Sequence, residues 1–312
     1  MPPTADTEPM MRAVQIDTWG GPERLVVREI ARPVPGAGQV RVRVKAASLN
    51  AVDRRVREGY LDGRVPLPYT AGSDFSGIVE AAGEGADLPA GTPVFGALWP
   101  TSGAYAEHSV IDATQLTVKP DDVSFEQAAA LPVAGVTAWV AVVEDGQVRP
   151  GQRVLVQGAA GGVGHLAVQL AKHRGAHVVG TASPAKHDFV RTLGADEVVD
   201  YRSPDLPDLL PDLDLVIDGV SAASMAALYP KIRPGGLAVS LFDPPSPPPA
   251  GLRAQLVSTA AVAVGPLRPR FDHLAQLVAD KQLTVAVSAS YGLDDVATAQ
   301  ETGIRGKAVI IP

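Results

Sequence analysis

The chain has 312 residues, 46% of them hydrophobic, which fits two domains of about 100–200 residues each and excludes a disordered composition. A formal charge of -7 gives no basic surface for nucleic acid, and no apolar run reaches the ~18 residues of a membrane span. Cysteine is absent, which excludes disulfides, thiol nucleophiles, iron–sulfur clusters and thiolate zinc sites; the six histidines show no HxH or HExxH spacing, so no metal ligands are expected. The polar start Met1–Met10 lacks the apolar core of a signal peptide, so a soluble cytoplasmic protein is expected.

Residues 12 to about 130 read as β-rich. Val40-Arg41-Val42-Arg43-Val44 alternates with period two, as a half-buried strand does. Turn signals at Pro33, Pro35-Gly36, Gly38, Gly83, Gly85, Pro89 and Gly91 cut this region into short strands, which suits a small barrel-like domain. The pattern changes near Leu131-Pro132. From there strand-like runs at 153–157, 177–181, 197–200, 213–218 and 237–241 alternate with helical patterns, the signature of βαβ units around a parallel sheet. Val163, Leu166, Ala167, Leu170 and Ala171 fall on one helical face, and Gly175 stops that helix. The run Pro244–Pro249 lacks most backbone donors and cannot be an interior strand. From about Pro269 the tail predicts a helix, a short strand, a second helix and the final strand Ala308–Ile311.

The motif that carries chemistry is Gly158-Ala-Ala-Gly-Gly-Val-Gly164, directly after a strand and before an amphipathic helix. Glycines let the backbone turn sharply and approach a pyrophosphate, and the helix N-terminus offers N–H groups and a positive dipole end. Ala159, Ala160 and Val163 are small or apolar, in keeping with contact through the backbone. NAD-specific sites place an acid about 20 residues further on. Here the second strand ends Thr181-Ala182-Ser183 with no acid, and Lys186 follows. A hydroxyl and an ammonium suit a 2′-phosphate, so NADPH is the expected cofactor.

These landmarks, taken in order, resemble the zinc-free quinone oxidoreductase branch of the medium-chain dehydrogenase/reductase superfamily. They are Gly20-Gly21-Pro22, Ala47-Ser48-Leu49-Asn50-Ala51-Val52-Asp53 and Ala71-Gly72-Ser73-Asp74-Phe75-Ser76-Gly77. Leu131-Pro132-Val133-Ala134-Gly135-Val136-Thr137, the glycine loop, Leu193-Gly194-Ala195-Asp196 and Gly306-Lys307-Ala308-Val309 follow. The resemblance implies an α/β protein: a GroES-like β-rich catalytic domain from residues 1–132 and 268–312, and a Rossmann doubly wound parallel-sheet domain from 133–267. It implies that cofactor and substrate meet in the cleft between these domains. Zinc-dependent relatives carry Cys where this chain has Asn50, and Gly-His-Glu where it has Gly72-Ser73-Asp74. A neutral amide and a hydroxyl do not replace a thiolate and an imidazole around zinc.

Carried over by position, the resemblance assigns Asn50, Tyr60 and Thr137 to the nicotinamide and substrate end. Asn50 and Thr137 fit structural hydrogen bonding equally well, and Tyr60 fits packing. Ala160, Gly161, Gly162, Val163 and Gly164 are assigned to the pyrophosphate. Thr181, Ser183, Lys186 and Tyr201 go to the region of the 2′-phosphate, and Leu241 and Phe242 lie beside the nicotinamide. Asp53 and Asp74 are expected to brace loops, and His108 to be structural. The expected activity is metal-free hydride transfer to a quinone or an α,β-unsaturated carbonyl compound. The rivals are an enone, enal or enoyl reductase and a non-catalytic NADPH-binding protein. A homodimer through the strand-like edge Val257–Val264 is expected as well.

Overall fold

The computed structural model describes residues 9–98, 103–210, 212–241, 243–257 and 267–312. Two compact units divide the chain. The first comprises Met1–Pro132, Ala289–Gly303 and Ala308–Pro312, and the second Val133–Ser288 with Ile304–Lys307.

In the first unit the alternating run becomes part of strand Gln39–Ser48, with Val40, Val42 and Val44 buried and Arg43 exposed. This strand pairs antiparallel with Asp74–Ala82 on one side and with Lys307–Ile311 and His108–Asp112 on the other. A seven-stranded sheet results, beside a three-stranded sheet built on Met10–Ile16. The pairing brings Asp74 opposite Ser48, which places two polar side chains from distant stretches at one level.

In the second unit the strand pairings among the described residues are parallel, across strands Arg153–Gln157, His177–Ala182, Glu197–Asp200, Leu213–Asp218, Ile232–Ser240 and Arg253–Leu256. Numbered along the unit, their spatial order is 3-2-1-4-5-6, the doubly wound order of a Rossmann sheet. Between the first two strands, helix Gly164–His173 buries Leu166, Ala167, Leu170 and Ala171 against the sheet, as its periodicity predicts. Its end is marked by Gly175 at φ +81°, the left-handed conformation that closes helices.

The border expected at residue 268 differs from this division, because helix Leu267–Ala279 belongs to the second unit. Arg270 pairs with Glu144 at 2.7 Å, and His273 stacks edge-on to Trp139 with ring centroids 4.6 Å apart. The Pro-rich run forms no strand, and Tyr229 donates a hydrogen bond to the Ser246 carbonyl at 2.6 Å. Of the expected dimer edge, only Val257 falls among the described residues. No helix among the described residues is long and apolar enough to cross a membrane.

Candidate active site

The first parallel strand runs directly into Gly158, whose φ of +69° lies where side chains are strained. The backbone then folds back closely enough that Gly164 packs on the Gly158 carbonyl oxygen. A Cβ at Gly164 would also stand 2.9 Å from Ala159 Cα, so only hydrogen fits there. No side chain caps the following helix, and the His165 and Leu166 amides at its start donate to the Gly161 and Val163 carbonyls, each at 3.1 Å.

The loop is braced from within its own unit. The fully buried His165 contacts the Gly161 carbonyl through Nδ1 at 3.0 Å and accepts the Ala286 N–H at Nε2, 3.3 Å away. That arrangement requires the neutral imidazole with its proton on Nδ1. Burial pushes the His165 pKa down to about 4, with the Lys307 charge acting the same way and the Gly161 carbonyl opposing both. The Gly306 N–H donates to the Ala160 carbonyl at 2.8 Å, and the stem of the buried Lys307 lies against Gly162.

A cavity of about 630 Å³ opens beside the loop. It lies at the carboxyl ends of the strands, near where the order reverses between the first strand and the fourth, the usual position for a ligand in such sheets. It brings together six of the expected cofactor residues: Ala160, Gly161, Thr181, Ser183, Lys186 and Tyr201. Thr181 also accepts the Gly158 N–H at its hydroxyl, 3.3 Å away. Lys186 uses one ammonium N–H on the Ile304 carbonyl at 2.9 Å, of the three it carries. Gly162, Val163, Gly164 and Leu241 do not line this cavity, and Phe242 lies outside the described residues.

The opposite wall was not legible beforehand. Leu206, Gly219, Val220, Ser224, Ala227 and Leu228 line this side of it. The buried Asp218 shapes this wall by accepting the Val220 N–H at 2.7 Å and the Ser224 hydroxyl at 3.0 Å, and burial raises its pKa. The run Asp218-Gly219-Val220-Ser221 at a strand end was an available signal; nothing local points to Leu206.

Asn50 and Tyr60 belong to the first unit. Asn50 precedes helix Ala51–Arg55, its N–H donating to Asp53 Oδ2 at 2.8 Å and its Nδ2 to Asp74 Oδ2 at 2.9 Å. Ser48 reaches the same Asp74 oxygen at 3.4 Å, Ser73 bonds Asp53 Oδ1, and Tyr105 donates to Asp53 Oδ2 at 2.7 Å. Asp53 and Asp74 therefore brace loops, as expected from the sequence. Tyr60 is exposed, with the Arg64 guanidinium 5.7 Å from its ring centroid. Thr137, in the second unit, spends its hydroxyl proton on the Val133 carbonyl at 2.6 Å. His108 is buried in a strand 3.3 Å from Glu80, and burial with the nearby Arg32 charge lowers its pKa.

Residues 36–121 match the family described as alcohol dehydrogenase GroES-like domain, and residues 162–250 the family described as zinc-binding dehydrogenase. The chain is 31% identical over 309 residues to the chloroplastic quinone-oxidoreductase homolog of Spinacia oleracea, covering 91% of this chain and 92% of that protein. The chain belongs to the quinone oxidoreductase branch of the medium-chain dehydrogenase/reductase superfamily. It is also 35% identical over 241 residues to the synaptic vesicle membrane protein VAT-1 homolog of Rattus norvegicus. That match covers 74% of this chain and 59% of the rat protein. A quinone oxidoreductase of Escherichia coli, solved in complex with NADPH, has a TM-score of 0.88 to this chain at 27% identity, over 96% of this chain and 100% of that one. The fold is thus the GroES-like domain plus Rossmann-type parallel sheet that the landmarks implied.

Proposed function

We propose that the protein is an NADPH-dependent oxidoreductase that reduces a quinone or another small electrophilic acceptor without a metal. The observation that carries this reading is the cavity beside the glycine loop, where Gly158, Ala160 and Gly161 and the Ser183, Lys186 and Tyr201 side chains line one space. A dinucleotide fits that set: glycines where phosphate must approach, a hydroxyl and an ammonium at the far end, and no acid at the end of the second strand. The nicotinamide, when bound, supplies the hydride.

The chain's own part is holding and orienting. Gly161 and the amides of residues 162–164 would hold the pyrophosphate, with the buried Lys307 as a nearby cation. Lys186 and Ser183 would take a 2′-phosphate, the lysine through ammonium protons left over from its bond to Ile304. Asn50 and Tyr60 would face the acceptor, and Thr137 the nicotinamide. Orientation alone is worth ~7–11 kcal/mol in favourable cases, enough for acceptors that are already electrophilic. The metal-free reading rests on side-chain chemistry. Where zinc-dependent relatives carry Cys and Gly-His-Glu, the Asn50 amide and Asp74 carboxylate are bonded to each other, and Ser73 is bonded to Asp53.

The test is NADPH oxidation by chelator-treated protein with a panel of quinones, 2-enals and cyclic enones. Turnover that survives chelation is the expected result, with the best acceptor separating quinone from double-bond reduction. Loss of turnover on chelation would contradict the metal-free reading. Tight NADPH binding with no turnover on any acceptor would replace the enzyme by a cofactor-binding protein.

A further inference from the structure

Several polar side chains that line the cavity beside the glycine loop are already committed within the fold. Thr181 accepts the Gly158 N–H at its hydroxyl, Ser224 donates to Asp218 and to the Ser221 carbonyl, and Lys186 donates to the Ile304 carbonyl. Gln157 differs. It lines the same cavity and is only 4% exposed, yet its amide nitrogen is buried with no hydrogen-bond partner among the described residues.

Its place in the sheet makes this costly. Gln157 ends strand Arg153–Gln157 after the buried Val154, Leu155 and Val156, between the second and fourth strands. It stands in register with Asp218, but that carboxylate is taken up by the Val220 N–H and the Ser224 hydroxyl. Interior strands of parallel sheets run as apolar stretches, so a methionine or leucine here would fill the space without an unmade bond. A buried donor left unmet lowers stability, and such a group marks a place where a ligand or a water supplies the acceptor. The same cavity has an apolar side of Leu206, Val220, Ala227 and Leu228, which suits the flat faces of a heteroaromatic ring. The edge of such a ring carries nitrogen lone pairs, the acceptors that the amide lacks.

We propose that Gln157 is a cofactor-binding residue that reads the edge of the adenine base, its amide N–H donating to a ring nitrogen. An amide pairs a donor with an acceptor, the complement of a purine edge where a ring nitrogen adjoins an amino group. The terminal torsion of glutamine is broad, so a small turn aims the N–H at a ligand in the cavity. This rests on the reading of the cavity as a dinucleotide site under the proposed function, and it adds the base to the phosphate contacts assigned there.

Gln157→Met keeps the length of the side chain and removes the amide. Titration of wild type and variant with NADPH and with 2′,5′-ADP, which holds the adenine but no nicotinamide, reads the contact without turnover. The variant is expected to raise both Kd values by the same factor, about five- to tenfold, the scale of one hydrogen bond. Without ligand it should melt no lower than wild type, because it removes an unmet donor rather than a bond. In the unaltered protein, the Gln157 side-chain NH2 signal should move in NMR spectra when 2′,5′-ADP is added. It should stay in place with ribose 5-phosphate, which lacks the base. Kd values unchanged in Gln157→Met would overturn the proposal and leave a buried water as the amide's partner. So would a lower Tm of the ligand-free variant, which marks a structural brace, or an NH2 signal that ribose 5-phosphate moves equally. A wild type that binds NADPH but reduces no acceptor removes the enzyme while these titrations still decide the residue. A wild type that binds neither NADPH nor 2′,5′-ADP removes both.

Discussion

At the Gly158–Gly164 loop the backbone provides the polar groups and the side chains withdraw; around Asn50 the side chains carry everything. The loop leaves amides without a side-chain cap beside a cavity of about 630 Å³. The Asn50 cluster does the reverse, with Asn50, Ser48, Ser73 and Tyr105 all donating to Asp53 or Asp74. A site that must receive a charged ligand keeps donors in reserve, whereas one that must orient a few groups closes its hydrogen bonds among its own members. The two regions should therefore fail differently when altered, the first in cofactor affinity and the second in turnover.

The largest expected effect concerns a titratable brace of the loop, His165. His165 stays neutral in the fold down to about pH 4, whereas in the unfolded chain it takes up its proton near the usual 6.5. Unfolding thus binds a proton between those values, so this contribution is complete above pH 6.5 and is lost as pH falls toward 4. At about 1.36 kcal/mol per unit it amounts to about 3 kcal/mol over the whole window and about 2 kcal/mol by about pH 5. Denaturant unfolding of wild type and His165→Gln at about pH 7.5 and 5 should show the variant losing that much less. Equal losses in the two proteins would remove His165 from the account.

Gly164→Val comes next, because its Cβ meets the backbone of Gly158 and Ala159. Overpacking against rigid atoms costs about 3 kcal/mol, so the NADPH Kd in a fluorescence titration should rise about a hundredfold. A rise under about threefold would mean that this loop does not hold the cofactor. Asn50→Ala tests the other region: kcat/KM for a quinone should fall about thirtyfold while the NADPH Kd stays within about twofold, the cost of breaking a hydrogen bond to a charged partner at the proposed acceptor end. A parallel loss of NADPH affinity would blur the distinction between the regions. Smallest is Lys186→Ala, expected to weaken NADPH about tenfold and NADH less than twofold, as for one ammonium contact to a phosphate.

The same contrast governs what could be read in advance. The glycine loop, the helix behind it and Ser183 with Lys186 lie within about 30 residues, the span of a single βαβ unit, so pattern alone located them. The wall at Leu206 and Val220–Leu228 joins that loop only through parallel strand order, which periodicity does not give. Around Asn50, nothing in the string links residue 105 to residue 53. Backbone bonds that seat Tyr105 between Val14 and Ala71 make that link. Lys307 shows the same difficulty: a cation in a final strand reads as solvated, yet it is buried against Gly162.

The central claim is that the cavity beside Gly158–Gly164 is an NADPH site, and side-by-side titration of the wild-type protein with NADPH and NADH tests it most directly. The account predicts NADPH binding tighter by about tenfold or more, the worth of one charged contact to the 2′-phosphate. Equal affinity, or tighter binding of NADH, would contradict it and show that Ser183 and Lys186 do not read the 2′-phosphate.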